Sequence, residues 1–474
     1  MLPMRKLLCA LLMCSTVGVA AATPALASHS ELVYFEAPKE LLNARTRAAT
    51  MVKLQALGVN ALRVQLYWYS VAPGASSSQR PSFDATNPNA YNWGQYDPLL
   101  AEAQRLHWQV LLTVTSPVPK WATAGHNDRF LVTRPDPQQF EQFMTAVARH
   151  FGSQVGLYGI WNEPNHFRFL RPQFNANGTP ASPRIYRGLY QAGYAGLKAA
   201  GIANPKVLMG ETAPGGEERV RPHSGAQSAV APLVFLREAL CLNSHYRKAG
   251  SCEELPAFGY AHHAYANASG PLEHPSRPAS VTIAVLSRLT TALDLAARAH
   301  AIPAHLPVYL TEFGVQSKPN KYLGVPANQQ AEYDAISEHI AYSNPRVASF
   351  SQYLLKDDPL SGSGVTGGVG FQTGLMYVRG TAKPLYFGFP LPLVVSRSGR
   401  GYSLWGLVRP AAGTTRLTVL VQPPHSRRWR KLRVITTNSS GYWSLSSSTR
   451  GSAWRVQWRS PSRTAYNGPP IRAY

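Results

Sequence analysis

The chain has 474 residues, enough for two or three domains or for one large barrel with an appendage. Apolar residues make up 45% and charged residues 15%, so a large core can be buried and disorder of the whole chain is excluded. The formal net charge is +23, but residues 391–474 hold thirteen arginines, one lysine and no acidic residue. Such a segment is typical of contact with nucleic acid, an anionic glycan or a cell surface. Alternatively, the arginines simply keep the segment soluble.

The first 27 residues have the features of a secretory signal peptide. Arg5 and Lys6 precede an apolar run over residues 7–22, and residues 25–27 read Ala-Leu-Ala, an A-x-A cleavage signal. We therefore expect residues 1–27 to be removed and the protein to be secreted and extracellular. No later apolar run reaches the roughly 18 residues of a membrane helix, so we predict no transmembrane segment. For an exported protein, nucleic acid is the weakest of the three partners, and we predict none.

Two cysteines remain after the predicted signal peptide. Cys241 and Cys252 form an even pair that would close a short loop in an exported chain. This arrangement favours a disulfide over metal or thiol chemistry. Two free thiols in a loop are the alternative, and neither interpretation is catalytic.

Between residues 31 and 356, short β-rich segments alternate with helical segments whose apolar residues recur at a spacing of 3.6. Eight strands alternating with helices predict an α/β fold with a parallel sheet, and the count favours a closed (β/α)8 TIM barrel over an open sheet. The predicted strands are 32–35, 61–66, 109–115, 156–161, 207–210, 258–263, 307–311 and 348–354. The predicted helices are 39–57, 97–107, 137–151, 184–200, 229–243, 279–301 and 328–342, with a shortened last helix at 383–387.

The predicted helix at 137–151 has the clearest start signal. Asp136 stands at its N-cap position and Pro137 in its first turn. The glycine-rich segment at 361–374 follows the eighth predicted strand, and its glycines do not have the spacing of a phosphate-binding loop.

Helical periodicity ends near residue 395. Predicted strands at 416–421, 432–437, 442–447 and 454–458 are separated by turn residues, which predicts a small antiparallel β-sandwich. We therefore divide the chain into a signal peptide at 1–27, a barrel at 28–395 and a basic sandwich at 396–474, and we expect the sandwich to be separable from the barrel. Its five tryptophans either bind glycan or form its core: Trp405, Trp429, Trp443, Trp454 and Trp458.

Functional groups of (β/α)8 proteins stand at the C-terminal ends of the strands. The candidates that this rule selects are Arg63 on the second strand, Asn162 and Glu163 on the fourth, His263 and Tyr265 on the sixth, and Glu312 on the seventh. Two glutamates at one mouth are what glycoside hydrolysis requires, one protonated and one ionised. Two ion-paired rim residues are the alternative.

The neighbours of the two glutamates suggest which is which. Arg63 and Tyr265 favour the charged form of Glu312, whereas the apolar setting between Trp161 and Pro164 favours the protonated form of Glu163. Glu163 is therefore the predicted acid/base and Glu312 the predicted nucleophile.

Four motifs resemble the clan A glycoside hydrolases, the retaining barrel families that include the cellulase-like and β-xylosidase-like groups. They are Trp-Asn-Glu-Pro-Asn at 161–165, Thr-Glu-Phe-Gly at 311–314, Leu-Arg-Val at 62–64 and His-Ala-Tyr at 263–265. The resemblance covers residues 31–390. It implies a retaining O-glycoside hydrolase that acts on an oligo- or polysaccharide.

The resemblance also implies roles for the residues around the two glutamates. Asn162 would contact the sugar 2-hydroxyl, Arg63 and Tyr265 would orient the nucleophile, and His263 matches the histidine of the clan's sixth strand. The eighth strand departs from the pattern, because Ser-Gln-Tyr stands where the clan often has the tryptophan that stacks on the sugar. Tyr353 or Gln352 would take over that role.

Several assignments stay open. Trp68, Trp93 and Trp121 either stack on sugar or pack at the barrel rim. Glu211, after the fifth strand, either contacts substrate or the residues that hold it, or forms an ion pair. His262 and His263 are adjacent on a strand and point to opposite faces, so we predict no metal site, and we predict no cofactor.

A second function class competes with the enzyme. A non-catalytic, secreted glycan- or cell-surface-binding barrel would usually have lost one of the two glutamates or Asn162, whereas this chain keeps all three. The basic C-terminal segment adds a potential contact with an anionic glycan or a cell surface. The sequence does not select the sugar, the linkage, or exo over endo action.

Overall fold

The computed structural model describes residues 31–126, 128–360 and 370–474. The predicted signal peptide lies outside the described residues, as does most of the glycine-rich segment at 361–374. None of the helices in the described ranges has the length and apolar character needed to cross a membrane.

Eight parallel strands form a closed barrel, as predicted, in which each strand pairs with the next and the eighth pairs with the first. The strands are β1 (Leu32–Glu36), β2 (Ala61–Tyr67), β3 (Gln109–Thr115), β4 (Leu157–Ile160), β5 (Val207–Thr212), β6 (Gly259–His262), β7 (Val308–Tyr309) and β8 (Val347–Tyr353). β7 is shorter than predicted, because its pairing with β8 shifts register between Val308 and Tyr309.

Helices surround the barrel, and those of the described residues lie at predicted places except the short one at Trp68–Val71, which was not predicted. They are α1 (Pro38–Leu41), α2 (Arg47–Ala56), α3 (Trp68–Val71), α4 (Asp97–Arg105), α5 (Pro137–Phe151), α6 (Ser182–Ala199), α7 (Pro232–Ala239), α8 (Leu286–Arg298), α9 (Ala327–Tyr342) and α10 (Pro384–Gly388). The single helix predicted at 39–57 is two helices. Its interruption is stabilised by side chains that bind carbonyls at the end of α1, Arg47 Nε to Leu41 O at 2.8 Å and Thr46 Oγ1 to Glu40 O at 2.7 Å.

The start of α5 agrees with its sequence signal. The side chain of Asp136 accepts hydrogen bonds from the backbone amides of Gln138 and Gln139, at 2.9 and 3.1 Å. It thereby satisfies two of the amides that a helix N-terminus leaves without intrahelical partners. The phenylalanines of α5 are buried, and Phe140 and Phe143 pack against the ring of Trp68.

The chain after the barrel forms two antiparallel sheets, as predicted. Their strands are β9 (Leu393–Ser398), β10 (Gly401–Leu407), β11 (Arg416–Gln422), β12 (Arg430–Thr436), β13 (Tyr442–Ser447), β14 (Ala453–Arg459) and β15 (Ala465–Asn467). One sheet has the order β13-β10-β9 and the other β12-β11-β14-β15. β9, β10 and β15 were not among the predicted strands. Four of the five tryptophans are buried, whereas Trp429 is half-buried with the guanidinium of Arg455 4.4 Å from its ring centroid.

The sheets share a buried contact with the barrel, contrary to the expectation that they are separable. Ala335 and Ile336 of α9 pack in one apolar cluster with Val394, Trp405 and other residues of the first sheet. Beside this cluster, Arg409 donates to both carboxylate oxygens of Glu338 at 2.8 Å, and both side chains are buried. Removing the sheets would therefore expose an apolar surface and leave a buried carboxylate without its cation.

The Cys241–Cys252 disulfide predicted from the sequence is present. It closes the segment that follows α7, where the backbone amide of Ala249 donates to the carbonyl of Cys241 at 2.8 Å. This loop lies apart from the two glutamates, as expected for a structural rather than a catalytic bridge.

Candidate active site

A pocket of about 490 Å³ contains both predicted catalytic glutamates. This is the size range of small-ligand sites. Its aromatic lining consists of Tyr67, Phe167, Phe169, Tyr322, Tyr353 and Phe371. Its polar lining, besides Glu163 and Glu312, consists of Gln65, Asn162, His166, Arg168, Gln316 and Asn320. A larger groove of about 1130 Å³ lies elsewhere and does not include either glutamate.

Glu163 projects from an unusual turn just beyond β4. Trp161 and Glu163 have φ angles of 73° and 40°, in the left-handed region that non-glycine residues rarely adopt. Hydrogen bonds hold this turn from both sides: the amide of Glu163 donates to the carbonyl of Glu211 at 3.0 Å, and the indole of Trp161 donates to the carbonyl of Phe169 at 2.8 Å. Strained backbone of this kind concentrates at functional sites, where surrounding contacts fix it.

Glu312 is held by two donors. The hydroxyl of Tyr265 donates to Oε1 at 2.7 Å, and Nη1 of Arg63 donates to Oε2 at 3.0 Å. Burial and the nearby charge of Glu312 raise the pKa of Tyr265 well above its ordinary value, so the phenol keeps its proton and remains a donor. These two contacts fix the position of the carboxylate.

Arg63 is the centre of a buried polar cluster below the pocket. Besides Glu312, its guanidinium donates to Oε1 of Glu36 at 2.6 Å, to Oδ1 of Asn162 at 2.6 Å and to Glu211. Although burial alone would lower the pKa of Arg63, the carboxylates of Glu211, Glu36 and Glu312 raise it well above its ordinary value. Arg63 therefore stays charged, and because Oδ1 of Asn162 is occupied, the amide nitrogen is left to donate to a ligand.

Glu211 forms an ion pair rather than a substrate contact. Its side chain has no solvent exposure, it pairs with Arg63, and its Oε1 accepts a hydrogen bond from Thr113 at 2.7 Å. It does not line the pocket. Of the interpretations left open by the sequence, direct contact with substrate is therefore wrong. The ion pair is correct, and so is a contact with the residues that hold the substrate, because Arg63 also binds Asn162 and Glu312.

Glu163 has a different environment from Glu312. Burial raises its pKa above the ordinary value of 4.5, and the charges of His166, Arg63 and Arg168 oppose the shift. Its Oε1 lies 3.0 Å from Nδ1 of His263, whose pKa is lowered to about 4, chiefly by burial. His263 is therefore neutral near pH 7 and does not supply the positive charge that would keep Glu163 ionised. The same burial keeps His263 away from substrate, so it acts on Glu163.

The tryptophans proposed as sugar platforms belong to the core. Trp68 is completely buried and stacks on Phe143 of α5, with ring centroids 5.1 Å apart. Trp93 and Trp121 are also buried, at 5% and 2% exposure. The assignment of Trp68 to substrate binding is therefore wrong, because α3 begins at this residue and its ring packs against α5. On β8, Tyr353 lines the pocket, whereas the amide of buried Gln352 donates to the carbonyl of Thr373 at 2.9 Å.

Glu36 and most of the pocket wall were not predicted from the sequence. Glu36 ends β1, so the rule that selected the other strand-end residues would have found it. His166 and Arg168, in contrast, lie on the loop after β4, and Asn320 and Tyr322 lie on the loop after β7. Loop residues carry no periodic pattern, so no signal in a single sequence would have placed them here.

One carboxylate oxygen of Glu163, one of Glu312 and a ring nitrogen of His263 lie within 4.8 Å of one another. This spacing would also suit a metal ion, but existing contacts account for it. His263 pairs with Glu163, and both oxygens of Glu312 accept hydrogen bonds from Arg63 and Tyr265. The geometry therefore gives no separate reason to assign a metal, and the absence of a metal site stays a prediction.

The fold resembles that of solved glycoside hydrolases. A glucosidase from Croceicoccus marinus matches with a TM-score of 0.53 and 12% identity, over 92% of this chain and 96% of that one. A family 39 glycoside hydrolase from Bacteroides cellulosilyticus WH2 matches with a TM-score of 0.49 and 15% identity, over 89% and 79%. An endo-1,4-beta-xylanase of Penicillium canescens has a TM-score of 0.47 and 16% identity, over 76% and 93%.

No protein-family model matches the chain. No curated protein sequence matches it either. At 12% identity the glucosidase likeness is one of fold, and it agrees with the architecture that the sequence motifs imply: a closed eight-stranded parallel barrel followed by antiparallel sheets.

Proposed function

We propose that this protein is a secreted retaining O-glycoside hydrolase, with Glu163 as acid/base and Glu312 as nucleophile. One observation carries the proposal: an oxygen of each carboxylate lies within 4.8 Å of the other, inside one pocket. Retaining glycosidases hold their two carboxyl groups about 5–5.5 Å apart, whereas inverting enzymes need about 6.5–9.5 Å to admit a water molecule. The spacing favours direct attack by Glu312.

The reaction proceeds in two displacements. In the first, Glu312 attacks the anomeric carbon, the glycosidic C–O bond breaks, and the departing oxygen takes the proton of Glu163. In the second, the Glu163 carboxylate removes a proton from water, and the water oxygen displaces Glu312 from the anomeric carbon. Glu163 regains its proton and Glu312 its charge, so the enzyme returns to its starting state.

The electrostatics supports this division of labour. Arg63 and Tyr265 both donate to Glu312, which stabilises the carboxylate as nucleophile and as leaving group. Burial raises the pKa of Glu163, and the neutral imidazole of His263 does not reverse that shift. The amide of Asn162 adds a donor for a sugar hydroxyl, and Tyr353 adds an aromatic wall.

The proposal also includes secretion of the protein and a binding role for the basic C-terminal segment. A disulfide is typical of oxidising compartments, which agrees with the predicted signal peptide and an extracellular location. The C-terminal sheets form an accessory unit beside a catalytic barrel, with boundaries near residue 395. Their arginines, without any acidic residue to balance them, would attract an anionic glycan or a cell surface.

The test is a panel of nitrophenyl glycosides and plant or microbial polysaccharides, with products followed by NMR. We expect release from at least one substrate with retained anomeric configuration, and no effect of EDTA. A 2-deoxy-2-fluoro glycoside of the active sugar should label Glu312, detected by mass spectrometry of peptides. A Glu218→Gln variant, which alters an exposed glutamate outside the pocket, is the control and should be labelled normally.

Two outcomes would contradict the proposal. A product with inverted anomeric configuration would show that water, and not Glu312, attacks the anomeric carbon. Binding of glycans without any turnover would favour the alternative, a non-catalytic glycan-binding barrel.

A further inference from the structure

The larger groove, of about 1130 Å³, has no part in the proposed reaction. The loops that follow β3, β4, β5 and β6 form one side of it, and such loops lie at the same end of the barrel as the pocket. The other side consists of the first turn of α6, the end of α7 and the segment after α7. One loop contributes to both sites: residues 166–169 line the pocket, and residues 179–181 line the groove. The groove therefore adjoins the end of the barrel that carries the two glutamates.

The loop closed by the disulfide forms one wall of this groove. Of the residues that the bridge encloses, those at 242–244 and 249 line it. Oδ1 of Asn243 accepts hydrogen bonds from the amides of His245 and Arg247 at 2.9 and 3.1 Å, so the amide nitrogen of Asn243 is left to donate to a ligand. A cross-linked loop holds such a donor in place before a ligand arrives, which reduces the conformational entropy lost on binding.

Arginine dominates the charge of the groove. Five arginines and three glutamates line it, which leaves an excess of two positive charges. Arg277 is already paired, because its Nη1 forms an ion pair with Glu217 and donates to the carbonyl of Gly216 at 3.0 Å. The other arginines of the lining form no ion pair with a described residue, and neither do the other two glutamates: Arg134, Arg184, Arg219, Arg237, Glu218 and Glu238. The excess positive charge is therefore available to an anion.

Arg237, in the last turn of α7, gives the most specific indication of a ligand. Its Nε is buried and has no hydrogen-bond partner among the described residues. A buried charged donor without an acceptor is unfavourable, and an anion in the groove would supply the acceptor. The backbone carbonyl of Arg237 accepts a hydrogen bond from the amide of Leu242 at 2.8 Å, which ties this residue to the wall formed by the disulfide loop.

The size and the chemistry of the lining indicate the class of ligand. The groove exceeds the volume of about 300–1,000 Å³ that is usual for small-molecule sites, so it suits an oligomer better than a single anion. Guanidinium groups present planar pairs of N–H donors that match the oxygens of carboxylate and sulfate groups. The amide of Asn243 and the hydroxyl of Ser244 match sugar hydroxyls. A glycan with carboxylate or sulfate groups combines both kinds of partner.

We propose that this groove is a second, non-catalytic carbohydrate-binding site, in which Arg237 and the neighbouring arginines bind the anionic groups of an acidic oligosaccharide. This inference goes beyond the proposed function, because binding in the groove requires no turnover in the pocket. It also gives the Cys241–Cys252 bridge a role, that of fixing one wall of the site.

The test measures binding by calorimetry, on the full chain with Glu163→Gln as the background so that the ligand is not hydrolysed. Oligosaccharides of polygalacturonate, which carry carboxylates, and of carrageenan, which carry sulfates, are compared with their methyl-esterified and desulfated counterparts. At least one acidic oligosaccharide should bind more tightly than its neutral counterpart. Arg237→Gln should raise the Kd of that oligosaccharide by about 10- to 100-fold, the effect of losing a hydrogen bond between charged groups.

A second measurement locates the ligand. Hydrogen exchange followed by mass spectrometry should show slower amide exchange over residues 242–249 when the acidic oligosaccharide is bound. The basic C-terminal sheets also attract anions, and peptides from residues 391–474 report on them separately. Protection confined to those C-terminal peptides would overturn the assignment of the ligand to the groove.

Three further variants separate recognition from folding. Arg237→Lys keeps the charge but loses the planar pair of donors, so it should retain part of the affinity. Arg219→Gln, at an exposed position of the groove, should raise the Kd by only about two- to fivefold, as for an exposed ion pair. Arg45→Gln removes an exposed arginine outside the groove and should leave the Kd unchanged. Because Nε of Arg237 binds no described residue, Arg237→Gln should not lower the Tm.

The outcomes are distinguishable. Tighter binding of the carboxylate-bearing or of the sulfate-bearing oligosaccharide supports the site and identifies its anion. Equal affinity for acidic and neutral oligosaccharides, an Arg237→Gln variant that binds as tightly as its background, or binding of a polyglutamate peptide but of neither glycan overturns it. A wild-type protein that binds the acidic oligosaccharide in the groove but hydrolyses no glycoside overturns the proposed function and leaves this inference intact.

Discussion

The ends of β4 and β7 place the same residue type in one pocket but surround it differently. Glu312, beyond β7, accepts hydrogen bonds from a cation and a phenol, Arg63 and Tyr265. Glu163, beyond β4, is buried against a neutral imidazole and has no cation within hydrogen-bond distance among the described residues. In the proposed mechanism, the two glutamates therefore differ in role because of the partners that other strands bring to them, not because of their own positions on a strand.

The strongest way to break this contrast is to remove Glu312, the proposed nucleophile. Glu312→Ala should lose activity by about 10⁵-fold or more on every substrate, a loss comparable to that of other covalent nucleophiles. Azide or formate should restore part of the activity with inverted configuration, because a small anion can enter the vacated space. The measurement is kcat with and without azide, together with NMR of the product. Near-normal activity would show that Glu312 is not the nucleophile.

Removing Glu163, the proposed acid/base, should affect substrates differently according to their leaving groups. Glu163→Ala should lose about 10²–10⁴-fold on a natural glycan, the usual contribution of general acid catalysis. A dinitrophenolate leaves without a proton, so its first step should be nearly unaffected. The second step still lacks its base, and an initial burst should therefore appear in stopped-flow measurements. Equal losses on both substrates without a burst would contradict the assignment of Glu163.

A substitution at Tyr265 tests the hydrogen bond that distinguishes the environment of Glu312 from that of Glu163. Tyr265→Phe removes the hydroxyl that donates to Oε1 while it keeps the ring, which lies 6.0 Å from Phe313 between centroids. We expect kcat/KM to fall by about 10- to 100-fold for activated and natural substrates alike, because the lost donor served a charged acceptor. Tyr322→Phe is the matched control, since Tyr322 also lines the pocket but is 80% exposed. A loss of kcat/KM restricted to natural substrates would instead indicate that Tyr265 assists Glu163, the proposed acid.

The strand-end rule explains how much of this site the sequence predicts. Arg63 lies on the second predicted strand, and Glu163 and Glu312 directly follow the fourth and the seventh, so the parallel barrel brings them together although 249 residues separate Arg63 from Glu312. The rule does not give the direction of a side chain once a strand has ended. Trp68 follows β2 directly, but the short helix that begins there turns its ring into the core against α5. The loop after β4, which carries His166 and Arg168, has no periodic pattern of apolar residues that would predict its position.

The C-terminal sheets show a second limit of the same kind. The alternation of residues predicts the strands with large apolar side chains, such as β11 and β14, but not β9, whose second half is serine and arginine. Nor does a local pattern reveal that α9 and the first sheet share a core, or that Arg409 pairs with Glu338 across that contact. Both depend on which surfaces meet in three dimensions.

The pH profile gives the smallest effect and the finest comparison of the two glutamates. Burial raises the pKa of Glu163 above 4.5, and the first step needs its protonated form. Activity on a natural glycan should therefore persist above pH 4.5 and decline only as the pH rises through the raised pKa. This basic limb should be absent for glycosylation by a dinitrophenyl glycoside and should flatten in Glu163→Gln. The pKa of His263 is about 4, so this histidine is already neutral over that range and adds no limb of its own. A basic limb that persists in Glu163→Gln would show that another group supplies the proton.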